Sequence, residues 1–393
     1  MTSRTILSFL PLALLICCSR SEEAPKATSN AAGARSVPQA TADPAASCPP
    51  LWVHSGDHIS ALAFSSDSQW LATAADNRWV AVGSQPNHIA IWNSATGKLE
   101  RTWDIGRPVV HLVFNPKGDT LASVDQKGQV EIWDFRKGFG LYRSQGGNLA
   151  YSPDGLIWAA SKFVLDAQAP KQAQQCEQDC DGPPGNSIIE VHDAATGKLL
   201  RSIDAGLWTV ITALSITPQG LIVAAGCEPG SEVCDGSAAA WDLGSGKLVK
   251  NYSHEADAFS PNGQLMASIS QSGESGDIQV IDTWQDKVQA RFKGKAAAFS
   301  SDWKQIAVTQ GDTIELRSLV AETELIRVPG GGGPLAFSPD GKRLAAANYM
   351  PQTQTPIICD SRHTAIVTYH SLLRIWDVTT GREALTLDGP RPE

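Results

Sequence analysis

Ser65-Ser66-Asp67-Ser68, His88-Ile89-Ala90-Ile91-Trp92 and Ala95-Thr96-Gly97-Lys98 are the three short pieces whose repetition decides the fold. The first is a tight turn between two apolar strands. The second alternates with a period of two, the mark of a strand with two different faces. The third is another turn, and a fourth strand follows it. The first turn recurs as Asn115-Pro116-Lys117-Gly118, Ser152-Pro153-Asp154-Gly155, Thr217-Pro218-Gln219-Gly220, Ser260-Pro261-Asn262-Gly263, Ser300-Ser301-Asp302-Trp303 and Ser338-Pro339-Asp340-Gly341. Five of the seven have Pro second and Gly fourth. Proline presets φ at the first corner of a type I turn, and Gly accepts the left-handed residue that follows.

The alternating segment recurs as Gln129-Val130-Glu131-Ile132-Trp133, Ile188-Ile189-Glu190-Val191-His192, Asp277-Ile278-Gln279-Val280-Ile281 and Leu373-Arg374-Ile375-Trp376. The later turn returns as Ala195-Thr196-Gly197-Lys198, Gly244-Ser245-Gly246-Lys247 and Thr379-Thr380-Gly381-Arg382. Four antiparallel strands repeated seven times predict an all-β chain, a seven-bladed β-propeller over residues 51–390. Leu51-Trp52-Val53 and Ala384-Leu385-Thr386-Leu387 both suit the outer strand of the last blade, and the choice between them stays open.

The Ile-x-Ile-Trp-Asp strand end, the Phe-Ser-Pro-Asp-Gly turn and the Thr-Gly-Lys turn together resemble the WD40 family, over about residues 58–388. That resemblance implies a buried His–Ser/Thr–Asp–Trp hydrogen-bond network, which the first blade can supply through His58, Thr73, Asp76 and Trp92. The family's Gly-His pair is otherwise nearly absent. Its third-strand Trp persists as Trp92, Trp133, Trp241 and Trp376, while His192, Ile281 and Arg317 stand in the equivalent places. Outside the first blade the network is therefore expected to be incomplete, with packing holding most blades together.

The N-terminus reads as targeting rather than as fold. Arg4 precedes an apolar run, Ile6 to Ile16, that is too short for the ~20 residues of a membrane span but suits a signal peptide over residues 1–18. Leu15-Ile16-Cys17-Cys18 resembles a bacterial lipobox, with Cys18 the acylated residue. Ser19 after it is not the Asp of an inner-membrane retention signal, which favours an outer-membrane lipoprotein facing the periplasm or the surface. A plain periplasmic or secreted protein is the alternative. Residues 19–50 are rich in Ala, Ser, Pro and Thr, too poor in large apolar side chains to offset their ordering entropy. They read as a disordered tether with an r.m.s. reach of about 30 Å. The formal net charge of −9 and the lack of an outstanding Lys/Arg-rich run argue against a nucleic-acid partner.

Extra length falls between the second and third strands of four repeats: 76–87, 162–186, 226–236 and 348–371. In a propeller those junctions share one face, and insertions on a common face point to binding. That face also carries the connections between blades, and these loops together hold Trp79, Trp208, Arg78, Arg107 and Arg362, residue types that interface hot spots favour. Beyond Cys17 and Cys18, the cysteines are Cys48, Cys176, Cys180, Cys227, Cys234 and Cys359, all in the tether end or the inserted loops. Export permits disulfides, and the pairing that needs least distortion is Cys176–Cys180, Cys227–Cys234 and Cys48–Cys359. The spacing suits zinc poorly. No cofactor is expected, and neither a Gly-x-Ser-x-Gly elbow nor a catalytic constellation accompanies the eight His. The expected function is a non-enzymatic scaffold that binds another envelope protein, with a membrane contact by lipid anchor only. The alternative is a propeller hydrolase or lyase acting on an envelope polymer or small ligand at the central channel.

Overall fold

A computed structural model describes residues 50–54, 58–76, 87–165, 185–206, 210–227, 237–260, 262–270, 276–321, 323–330, 332–351 and 365–388. Strand β1 (Pro50–His54) precedes seven groups of four. Blade 1 holds β2 (His58–Phe64), β3 (Trp70–Asp76), β4 (His88–Asn93) and β5 (Leu99–Asp104). Blade 2 holds β6 (Val109–Phe114), β7 (Leu121–Asp125), β8 (Gln129–Asp134) and β9 (Phe139–Gln145). Blade 3 holds β10 (Leu149–Tyr151), β11 (Ile157–Leu165), β12 (Gly185–Asp193) and β13 (Leu199–Asp204). Blade 4 holds β14 (Val210–Ile216), β15 (Leu221–Cys227), β16 (Ser237–Asp242) and β17 (Leu248–Tyr252). Blade 5 holds β18 (Ala258–Phe259), β19 (Leu265–Ser270), β20 (Asp277–Asp282) and β21 (Lys287–Lys293). Blade 6 holds β22 (Ala297–Phe299), β23 (Gln305–Gln310), β24 (Thr313–Ser318) and β25 (Glu324–Pro329). Blade 7 holds β26 (Gly332–Phe337), β27 (Arg343–Pro351), β28 (Ala365–Asp377) and β29 (Glu383–Asp388). Each sheet runs in sequence order from the inner strand outward, with antiparallel neighbours. The expected seven blades of four strands are present.

The question of the last outer strand resolves in favour of the C-terminus. β29 pairs antiparallel with Leu372–Trp376 of β28 and completes blade 7. β1 instead pairs parallel with the earlier part of β28, Pro50 opposite Ala365.

There is no single core. Seven apolar layers lie between neighbouring blades, such as Ala72, Ile91, Leu112 and Trp133 between blades 1 and 2. Small side chains on the second strands (Ala72, Ala122, Ala159, Ala224, Ala267, Ala307 and Ala345) are fully or almost fully buried and let the sheets approach closely. The repeat turns explain their own composition. Ser152 Oγ donates to Asp154 Oδ1 at 2.6 Å and accepts the Ile157 amide at 3.0 Å, and Ser260, Ser300 and Ser338 repeat the device. The fourth turn residue has positive φ, +66° at Gly155 and +70° at Gly341. Where Gly is missing, Ser68 and Trp303 take the same conformation, and Trp303 stacks on Phe299 with ring centroids 4.0 Å apart.

Candidate functional site

The strand order puts every second-to-third-strand junction on one face, and the long junctions of blades 1, 3, 4 and 7 all open there. Two hairpins run past their outer partners on that side. β11 and β12 remain paired out to Leu165 and Gly185, whereas the β12–β13 ladder stops at Ile188. β27 and β28 remain paired out to Pro351 and Tyr369, whereas the β28–β29 ladder stops at Leu372. β1 lies along that projecting part of β28. Of the residues nominated from the sequence, Arg78, Trp79, Trp208, Arg362, Cys18, Cys48, Cys176, Cys180, Cys234 and Cys359 lie outside the described residues. Cys227 ends β15 opposite Val210, and its side chain is likewise outside them.

Arg107, nominated for docking, stands in an ion-pair cluster and is partly exposed. Its Nε lies 3.1 Å from Asp125 Oδ2 and its Nη2 3.5 Å from Glu131 Oε2, and both carboxylates are buried. Arg143 holds the other Glu131 oxygen at 2.8 Å. The physical reason is charge: two buried acids in one blade require cations beside them.

The same residues form a second anchoring network. In blade 1, Trp92 Nε1 donates to Thr73 Oγ1 at 3.0 Å, and His58 faces Asp76 in the β2–β3 ladder, the side chains of those last two lying outside the described residues. In blade 2, Trp133 Nε1 donates to Ser123 Oγ at 2.9 Å. Asp125 Oδ1 accepts the Lys127 and Gln129 amides, each at 2.8 Å, and Arg107, two residues before the strand partner of Asp125, supplies the cation. Blade 2 thus keeps the indole–hydroxyl contact and a buried ion pair but no histidine, and among the described residues no bond joins Ser123 to Arg107. Blade 3 departs further. His192, standing where the Trp would be, stacks on Trp158 at 4.0 Å and lies 3.5 Å from Glu190, which Lys162 also holds.

The inner strands are joined around the channel by polar side chains. Ser60 Oγ donates to Val109 O at 2.6 Å and Asn148 Nδ2 to Ile211 O at 2.6 Å, linking blade 1 to 2 and blade 3 to 4. His111 is exposed on its inner strand, yet the protein packed around it dehydrates the ring and lowers its pKa, with Asn148 opposing that shift. Asp257 is exposed as well. Dehydration raises its pKa against the pull of the Ile269 amide, 2.6 Å from Oδ2. The Ile269 amide ties Asp257 to its neighbouring strand.

The outer strands carry a second set of links, which sequence reasoning missed. The residues paired with the middle of each third strand reach the next blade's third-to-fourth-strand turn. Tyr142 OH donates to Ala194 O at 2.8 Å, Arg201 Nη1 to Ser245 O at 3.2 Å, and Lys250 Nζ to Trp284 O at 3.2 Å. Ile326 packs against Gly381, and Leu387 closes the ring against Gly97. The turns themselves are capped by Asn93, Asp193, Asp242, Asp282 and Asp377, each accepting turn amides. One of them shows Trp284 with 88% of its surface open to solvent, the most exposed large apolar side chain among the described residues.

Fold and turn chemistry together define a WD40-like seven-bladed propeller. The family pattern WD40 (WD domain, G-beta repeat) matches residues 49–93. The chain is similar to Target of rapamycin complex subunit wat1 of Schizosaccharomyces pombe, 31% identical over 87 residues, which is 22% of this chain and 25% of that protein. It is also similar to Eukaryotic translation initiation factor 3 subunit I of Aspergillus fumigatus, 28% identical over 109 residues, 26% of this chain and 31% of that protein. The matches span about a quarter to a third of these relatives. Among solved structures, Kuenenia stuttgartiensis Hydrazine Synthase superposes with a TM-score of 0.55 at 18% identity, covering 74% of this chain and 92% of that one. That likeness concerns the fold alone.

Proposed function

We propose that this chain is a non-enzymatic protein-binding scaffold of the bacterial cell envelope. In this reading acylated Cys18 tethers it to the outer membrane, and it docks another envelope protein with its loop-bearing face. The observation that carries the docking reading is topological: four elongated junctions open on one face, and two hairpins extend beyond their blades there. Two similar proteins are by name subunits of larger assemblies, which supports a scaffold. The envelope placement rests on the lipobox-like Leu15-Ile16-Cys17-Cys18. The Cys48–Cys359 pairing is supported by the β1–β28 ladder, which sets Pro50 beside Ala365.

The test is affinity capture from an envelope extract, comparing the natural chain with Trp79→Ala/Trp208→Ala. A protein retained by the first and lost by the second supports the loop face; an unchanged set of captured proteins overturns it. Incorporation of labelled palmitate that disappears in Cys18→Ala checks the anchor separately.

A further inference from the structure

Blade 5 differs from the other six at its outer edge. Its last strand, β21, reads Lys287-Val288-Gln289-Ala290-Arg291-Phe292-Lys293. Val288, Ala290 and Phe292 turn inward, Ala290 and Phe292 being buried, while Lys287, Gln289, Arg291 and Lys293 are exposed. Three cations and an amide therefore line one side of a terminal strand, about 6.7 Å apart along it. Most cations on the other outer strands are engaged: Arg143 with Glu131, Arg201 and Lys250 with turn carbonyls, and Arg327 with Glu315 and Glu324, while Arg101 of β5 lies over the Gly138 turn of the next blade. Lys293 meets Asp277 at the surface, but among the described residues Lys287 and Arg291 have no partner. The nearby acids have other partners: Asp282, the strand neighbour of Lys287, caps its own turn and accepts the Gln289 side-chain amide at 3.2 Å, and Asp286 accepts from Ser253.

Two further features make this edge a landing site. Position 290, opposite Val280, is the place from which Tyr142, Arg201 and Lys250 reach across in their blades. Ala290 is too short to reach, and the next blade's turn leaves Val320 79% exposed. At the other end stands Trp284, whose turn is held by Asp282, by Lys250 and by the bond from Thr283 Oγ1 to Gly263 O at 2.6 Å. A rigid exposed Trp offers a large contact at little entropic cost. The strand itself has a neighbour on one side only, so its other edge presents free main-chain N–H and C=O groups.

We infer that the outer edge of blade 5 is a docking site for an extended, acidic segment of a partner protein, added beside β21 with Trp284 as its apolar anchor. Strand addition supplies main-chain bonds, and acidic side chains at alternate positions match the spacing of Lys287, Arg291 and Lys293. A phosphate backbone or a lipid headgroup would use the cations but not the strand edge. A long polyanion would also meet the chain's net charge of −9, whereas a short segment feels only charges within about 8 Å at physiological salt. The site is separate from the loop-bearing face, so either can fail while the other stands.

The test uses the full chain and a fluorescein-labelled ten-residue peptide in which Glu alternates with Val, read by fluorescence anisotropy. A matched peptide with Lys for Glu, phosphatidylglycerol vesicles and an oligodeoxythymidine are run beside it. Saturable binding of the Glu peptide is expected, weakened about tenfold or more by Lys287→Glu/Arg291→Glu and about fivefold by Trp284→Ala, with slowed amide exchange in β21 on binding. All three side chains are exposed, so thermal melts should not move. No binding of the Glu peptide, binding unaffected by these substitutions, or binding without protection of β21 overturns the proposal. So does preference for the vesicles or the oligonucleotide.

Discussion

Blades 1 and 2 solve the same problem with different chemistry. Both hang a third-strand indole on a second-strand hydroxyl, at 3.0 Å in one and 2.9 Å in the other. In blade 2 that contact stands beside a charged cluster of Arg107, Arg143, Asp125 and Glu131. The difference teaches that the neutral hydroxyl–indole contact is the conserved geometric element between these two blades. The groups beside it can change identity provided the buried charges still balance.

The strongest way to break the comparison is to unbalance blade 2. Arg107→Ala leaves Asp125 without its cation and Glu131 with only Arg143. Stripping one partner from a buried pair costs about 3–5 kcal/mol, and the partial exposure of Arg107 brings the expectation to about 2–3 kcal/mol. A thermal or denaturant melt reads it. Asp125→Asn in the same chain should recover part of the loss, because the unpaired charge goes with it. A melt unchanged by Arg107→Ala would show that water compensates the acids and that the blade 2 network is incidental.

The neutral half gives a smaller effect. Trp133→Phe and Trp92→Phe each remove one buried indole donor and leave a hydroxyl to find another partner. Each should cost about 1–2 kcal/mol beyond the lost ring area, and the two should agree closely. If Trp133→Phe costs much less than Trp92→Phe, the contacts are not equivalent and the charges alone anchor blade 2.

How much of this was legible before the structure follows from the range of each interaction. The turns could be read because Ser, Asp, Pro and Gly act within four residues of one another, as Ser152 and Asp154 do. The blade count followed from their repetition. The anchor of blade 2 was hidden because Arg107 and Asp125 stand 18 positions apart and Arg is not the residue the resemblance names. A signal was present: Arg107 precedes its inner strand much as His58 begins its own, and Ser123 occupies the place of Thr73 relative to the strand partner of the Trp. The links between outer strands and neighbouring turns join segments about 35–50 residues apart, so no local pattern announces them. The cations of β21 were overlooked for a related reason, since alternate residues share a strand face without forming a run.

The finest distinction between blades lies in the turn caps, and it is readable by pH. Asn93 in blade 1 and Asp193 in blade 3 accept the same bonds, from the amide and hydroxyl of Thr96 and of Thr196 respectively. The Thr196 hydroxyl, then its amide, hold the Asp193 carboxyl below its ordinary pKa of 3.8, and Ser245 does the same for Asp242. A carboxyl with a lowered folded pKa contributes stability that is whole above the unfolded value and is lost as pH falls through the folded one. The amide of Asn93 has no such dependence. Asp193→Asn should therefore leave the melting temperature at pH 7 nearly unchanged, because blade 1 already uses that residue, and should flatten its decline below about pH 4. Melts from pH 7 down to 2.5 decide it. An acid decline as steep in Asp193→Asn as in the natural chain would mean that the cap bonds do not distinguish the charged from the protonated acid. The likeness between the turns of blades 1 and 3 would then be one of shape alone.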